Sequence, residues 1–152
     1  MIIRKAILKD LSEVKNLNQE LFNHDSEFDE TLCTKWPSKN KSYYKEKITK
    51  KSAITFVAEE DGIIIGYLIG SMNKTLSYRK IRIIAELENM FVKREFRGKG
   101  IGKSLINNFK KWANSKGAKK ARVVAYTKNN RALKVYEKNG FEQYCSVLEL
   151  KL

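Results

Sequence analysis

A single histidine, His24, a single proline, Pro37, and two distant cysteines, Cys33 and Cys145, leave little material for several common chemistries. No CxxC pair exists, and neither thiol has a second Cys or His nearby in sequence, so neither a zinc site nor a disulfide framework is expected. One histidine excludes a His-rich metal centre, and no nucleophile motif accompanies it. One proline excludes a proline-rich linker, and no repeat or low-complexity tract marks a boundary. The longest apolar stretch, residues 63–70, is far shorter than the roughly 20 residues that span a bilayer. The opening Met1-Ile2-Ile3-Arg4-Lys5 reads as a strand followed by charge, not as a signal peptide. These absences predict one soluble, cytoplasmic domain over residues 1–152, with no metal and no membrane partner.

Positive charge is in excess: 31 Lys and Arg against 17 Asp and Glu, a net +14. Such a field concentrates anions at the surface. It suits nucleic acid, an anionic membrane or a phosphorylated cofactor, so local placement has to decide between them. A hydrophobic content of 42% with 11% aromatics is that of a globular chain, and 152 residues suffice for one core.

The periodicity predicts a strand over 2–6, then a helix opening at Asp10 with Glu13 in capping-box spacing and a stripe of Leu11, Val14, Leu17 and Leu21. Residues 23–40 read as irregular, and Tyr43, Tyr44 and Ile48 suggest a second helix. Strands are predicted over 53–59 and 63–72, joined by the Asp61-Gly62 turn, and a third over 81–92. Ile101, Leu105, Ile106, Phe109 and Trp112 recur at helical spacing up to Gly117. A strand over 121–126, a helix over 130–139 and a last strand over 141–152 complete the pattern. A meander followed by a βαβ crossover implies an α/β fold with a mixed, mostly antiparallel sheet and helices on both faces. Its ligand belongs at the carboxyl ends of the parallel strands.

Between the third strand and the next helix lie Gly98, Gly100 and Gly102, interleaved with Arg97, Lys99, Ile101 and Lys103. Glycine allows positive φ and close backbone approach. The first amides of the following helix have no intrahelical partner and attract an anion. Arg97 stands where a Walker A loop needs its first glycine, and Lys103 where a dinucleotide fingerprint needs its third. What remains is an Arg-x-x-Gly-x-Gly loop made of Arg97, Gly100 and Gly102.

The run from Val92 to Leu105 resembles the acetyl-CoA motif of the GNAT (general N-acetyltransferase) superfamily. The run from Asn129 to Phe141, with Ala132, Tyr136, Glu137, Lys138 and Gly140, is similar to a second segment of that family. The resemblance implies a GNAT-like fold whose central parallel pair is splayed for coenzyme A. It also implies an acyltransferase that moves an acetyl group from acetyl-CoA to a primary amine within a ternary complex. Met90, Phe91 and Val92 are then expected to pair with the pantetheine arm through their backbones, and Asn129 to hydrogen-bond it. Arg97, Gly98, Lys99, Gly100, Ile101, Gly102 and Lys103 would hold the pyrophosphate.

Acyl transfer to an amine needs a base, because a lysine-like ammonium titrates near about 10.4, and it needs an acid for the departing thiolate. Glu86 and Glu88 are two apart on a predicted strand and share a face if it is unbroken. The resemblance favours Glu88 as base, with Glu86 second, and Tyr136 as acid. A bulge in this strand would shift facing by one residue. The acidic group Asp25, Glu27, Asp29 and Glu30 suggests a cationic acceptor: a polyamine, an aminoglycoside-like compound or a protein amine. A homodimer is a further expectation. The alternatives are an acyl-CoA-binding regulatory module and a basic nucleic-acid-binding domain, although no helix-turn-helix or RNA-binding sheet motif is present.

Overall fold

In the computed structural model, which describes residues 1–152, five strands stand in the order β1 (Ile2–Lys5), β2 (Ala53–Glu60), β3 (Ile63–Lys74), β4 (Ile83–Val92) and β5 (Ala121–Val123). Asp61 and Gly62 both adopt positive φ, 50° and 77°, and close the β2–β3 hairpin as the Asp-Gly pair predicts. β1 to β4 pair antiparallel, while β5 pairs parallel to β4 after a crossover through α4 (Ile101–Ser115). Before β2 come α1 (Leu11–Asp25), α2 (Trp36–Lys39) and α3 (Lys41–Thr49), and α5 (Asn130–Lys138) follows β5.

The sheet separates two cores. On one face Leu105, Ile106 and Phe109 of α4 bury against Phe56, Leu68, Ala85 and Leu87. On the other, Val14 and Leu17 of α1 and Tyr44 of α3 bury against Val57, Tyr67, Ile69 and Phe91. Each such side chain stabilises by roughly 1.5–3 kcal/mol on burial. An exposed ion pair contributes about 1 kcal/mol or less, so the apolar stripes decide where the helices lie. Asn18 is the polar exception: it donates to the Tyr67 hydroxyl (2.6 Å) and accepts from that of Tyr44 (2.5 Å).

Four sequence expectations change. The capping box of Asp10 and Glu13 does not form: the Asp10 carboxylate instead takes the Ile7 amide (2.8 Å) and the Arg4 guanidinium (2.7 Å). Residues 23–40 are not wholly irregular, since Pro37 starts the short α2 at a position where its missing N–H costs nothing. The strand expected over 121–126 stops at Val123. The strand expected over 141–152 is absent, and no backbone hydrogen bond involves a residue beyond Phe141. Alternation gives that segment an apolar face, but a strand needs a ladder partner and the chain supplies none.

Gly70 sets the spacing of α4 from the sheet. A Cβ there would stand 2.5 Å from Cε2 of Phe109. Gly70→Ala is therefore expected to lower the unfolding free energy by about 1–3 kcal/mol through overpacking, read from urea denaturation. An unchanged midpoint would contradict this close contact.

Candidate active site

β3 and β4 pair in step from Ile83 to Leu87 and again from Asn89 to Val92, with the register shifting between Ile69 and Gly70. Glu88 is the extra residue and has no partner on β3. This bulge turns the facing of β4. Leu87 lies under α4, yet Phe91 enters the opposite core, while Met90 and Val92 pack on the α4 side. Glu88 and Asn89 both reach α3: Glu88 accepts from Tyr43 (2.6 Å) and Asn89 donates to the same hydroxyl (2.9 Å).

Glu88 also accepts from Lys47 Nζ (2.5 Å) and from the buried Ser71 hydroxyl. Burial pushes its carboxyl up, but the hydrogen bonds of Lys47, Ser71 and Tyr43 outweigh that, and the group titrates below the usual carboxylate range. It is ionised at neutral pH. Burial and the Glu88 charge push the Tyr43 phenol far up, so it stays a donor. Glu86 shares the face of Glu88, as two-residue spacing predicts, and accepts from Asn73. Beside this network Phe22, Leu32, Cys33, Trp36, Tyr43 and Asn89 line a cavity of about 270 Å³. Its aromatic wall is ordered, with Phe22 stacked on Trp36 (5.7 Å) and Tyr43 edge-on to Trp36 (5.1 Å).

The bulge also ends the parallel pairing. β5 meets β4 only at Ala85, Glu86 and Leu87. From Glu88 onward the two strands part, and β4 has no neighbour on its β5 side along Met90, Phe91 and Val92. The Val92 carbonyl there accepts from Arg97 Nε (2.7 Å), whose guanidinium lies over the Phe91 ring (5.0 Å).

Past the open edge the chain enters the glycine loop. Gly98 and Gly100 hold φ of 81° and 78°, and a Cβ at either would meet nothing within 4 Å. Gly102 lies closer in, its Cβ position 3.9 Å from Met90 Cε and Val135 Cγ1. The first helical bond of this turn runs from the Ser104 amide to the Gly100 carbonyl (3.0 Å), which leaves the amides of Ile101, Gly102 and Lys103 ahead of it for a ligand. Burial, then the charges of Arg131 and Arg94, lowers the Arg97 guanidinium below its ordinary value. Lys99 folds over the Phe96 ring (5.1 Å). Crowded cations at a helix N-terminus fit a pyrophosphate.

Asn129 caps α5: its side-chain oxygen accepts from the Ala132 amide (3.1 Å). Tyr136 packs edge-on to Phe141 (5.7 Å). Burial and the Asp25 charge push its phenol up to about 12. Of the acidic group, Asp25 closes α1 half-buried, and Asp29 accepts from the Tyr126 hydroxyl (3.0 Å). Glu27 and Glu30 stay exposed. Burial raises the Asp25 carboxyl, with His24 opposing.

The pattern of the acetyltransferase (GNAT) family matches residues 16–141. The chain belongs to the GNAT acetyltransferase family. It is an acetyl-CoA-dependent N-acetyltransferase. A spermidine N(1)-acetyltransferase of Thermoplasma acidophilum is 27% identical over 146 residues, covering 92% of this chain and 87% of its own. A solved mutant of the BH1408 protein from Bacillus halodurans superposes with a TM-score of 0.91 at 22% identity, over 100% of this chain and 99% of that one. The aminoglycoside N-acetyltransferase AAC(6')-Iy in complex with CoA gives a TM-score of 0.79 at 22% identity, over 99% and 98%. These likenesses show the GNAT fold of the five-stranded sheet. No helix is long and apolar enough to cross a membrane.

Sequence reasoning singled out Glu88, Tyr136 and the loop, but not Tyr43, Lys47 and Ser71, which contact Glu88, nor Arg131, whose charge bears on Arg97. Arg131 lies inside the Asn129–Phe141 run, whereas Tyr43, Lys47 and Ser71 belong to no contiguous motif, although Tyr43 and Lys47 do share one helical face at i, i+4 spacing. Glu88, with its lowered titration point, adds stability that is complete above the unfolded value of about 4.3 and is lost as pH falls through the native one. Lys47→Met is expected to raise the Glu88 titration point, followed by carboxyl NMR. It should also cost roughly 1.5–3 kcal/mol at pH 7, a deficit that shrinks in acid. An unmoved titration would contradict the pairing.

Proposed function

We propose that the chain, acting as one domain, acetylates a cationic primary amine that approaches Glu88 along the aromatic cavity. The observation that carries this reading is the coincidence of the Glu88 bulge, the opened β4 edge and the cationic glycine loop within one stretch of chain. Acetyl-CoA supplies the activated acetyl group as a thioester. The Met90, Phe91 and Val92 backbone and Asn129 hold the pantetheine arm. Arg97, Gly98, Lys99, Gly100, Ile101, Gly102 and Lys103 hold the pyrophosphate, with Arg131 adding charge.

A carboxylate offers about four acceptor positions. Lys47, Ser71 and Tyr43 occupy three on Glu88, which leaves one on Oε2 for the acceptor's ammonium or an intervening water. Glu88 then receives the proton the amine must lose, and the Lys47 charge opposes retention of that proton by the amine. Tyr136, protonated at neutral pH, donates to the departing sulfur. Aromatic faces and the half-buried Asp25 favour a cation. The relatives that acetylate spermidine and aminoglycosides support a small-molecule acceptor.

A panel of amines with acetyl-CoA, followed by free thiol release, tests the activity. Glu88→Gln and Tyr136→Phe should each lower kcat by about 10²-fold or more while sparing acetyl-CoA binding. Gly100→Glu should abolish that binding, because it forces a side chain onto a left-handed backbone and brings an anion to the anion site. Binding without turnover across the whole panel would instead support the regulatory reading. Asp25→Asn should raise the acceptor KM several-fold with the acetyl-CoA KM unchanged, and Glu27→Gln should change neither. An unmoved acceptor KM in Asp25→Asn sinks the cationic-acceptor reading.

A further inference from the structure

The cavity beside Glu88 has two chemically different ends. At the reacting end Asn89 gives its side-chain nitrogen to the Tyr43 hydroxyl (2.9 Å), and its side-chain oxygen engages no other group. The same hydroxyl donates to Glu88 (2.6 Å), so Tyr43 ties the cavity wall to the carboxylate. Asp25 belongs to this end too, since its charge bears on the Tyr136 and Tyr67 phenols.

The far end is built from Phe22, Leu32, Cys33 and Trp36, and no carboxylate lines it. Phe22 lies flat on Trp36 with 9° between their planes, and Tyr43 and Tyr44 meet Trp36 edge-on. The acidic residues nearby in sequence are engaged elsewhere or lie outside the lining. Asp29 holds Thr31 and Tyr126, and Glu27 and Glu30 are exposed and outside the lining. The charges that flank Trp36 in sequence are Lys35 and Lys39, both exposed.

A second ammonium group carried to this end would lose its water, find no counter-ion and meet those lysines. The loss exceeds what one ring face returns to a cation. A flat apolar ring has no such loss and gains stacked or edge contacts with Phe22 and Trp36. The volume, about 270 Å³, lies below the roughly 300–1,000 Å³ of pockets that hold drug-sized ligands. It suits one ring on a short linker rather than several linked sugars.

We infer that the acceptor is an arylalkylamine, a single ammonium group on a short chain that carries one flat apolar ring. The inference rests on amine acetylation at Glu88 as proposed above and names the class of amine. The ammonium lies between the Asn89 oxygen and Glu88, and the ring among Phe22, Leu32 and Trp36. The amine nitrogen forms the amide bond as the carbon–sulfur bond of the thioester breaks. The amine's proton passes to Glu88, and the sulfur takes one from Tyr136.

The test measures kcat/KM of the full chain at saturating acetyl-CoA for 2-phenylethylamine, ethylamine, 1,4-diaminobutane, spermidine and kanamycin. 2-Phenylethylamine should exceed each of the others by about tenfold or more, the scale of one well-packed ring. Trp36→Ala should erase most of its advantage over ethylamine. Cys33→Asp changes an exposed side chain and adds a carboxylate to the far end. It should shift the ratio of 1,4-diaminobutane to 2-phenylethylamine several-fold toward the diamine. Faster transfer to spermidine or kanamycin than to 2-phenylethylamine overturns the inference and leaves amine acetylation at Glu88 standing. A natively folded Trp36→Ala that keeps the full advantage, or a Cys33→Asp ratio that does not move, also overturns it. Acetyl-CoA binding with transfer to none of the five amines overturns both.

Discussion

β4 carries one residue more than β3 can pair, and that residue is Glu88. The bulge bends the strand, flips its facing and ends its ladder with β5 within three residues. Phe91 goes into the α1 core, Met90 and Val92 go under α4, and the Glu88 carboxylate turns toward α3. The open edge beside Met90–Val92 and the placement of Glu88 are therefore two results of one backbone irregularity. Gly70, opposite Leu87, contributes from the other strand by letting Phe109 press onto the sheet at the level where β4 turns.

Charge is arranged around this opening in opposite senses. Arg94, Arg97 and Arg131 crowd the loop side, where Glu20 and Glu95 offset part of the repulsion and a bound anion would relieve more of it. On the α1 side Asp25 lies half-buried, and its charge reaches Tyr136. Between them Glu88 is balanced by Lys47. The net +14 of the chain says little about this division, because most of the surplus lysines decorate solvated faces.

The hairpin β2–β3, the stripe of α4 and the glycine loop were legible in the sequence because each rests on local rules: alternation, helical spacing, an Asp-Gly turn. The shared face of Glu86 and Glu88 followed from the same alternation. Which glutamate meets α3 did not follow, since Tyr43 and Lys47 lie more than forty residues away and only packing brings them to Glu88. Asp10 does stand at the start of α1, but its carboxylate does not close the expected box with Glu13, because Arg4 of β1 and the Ile7 amide take it. The tail from 141 to 152 reads as a strand by pattern, yet a strand is a property of a pair, and alternation says nothing about where the second member is.

On the proposed reading, the parted strands seat the donor. Amide hydrogen exchange with and without coenzyme A tests it most directly. Slowed exchange is expected in two places at once, along Asn89–Val92 on the open β4 edge and along Ile101–Lys103 at the start of α4. Tight binding that leaves both segments exchanging as before would contradict it.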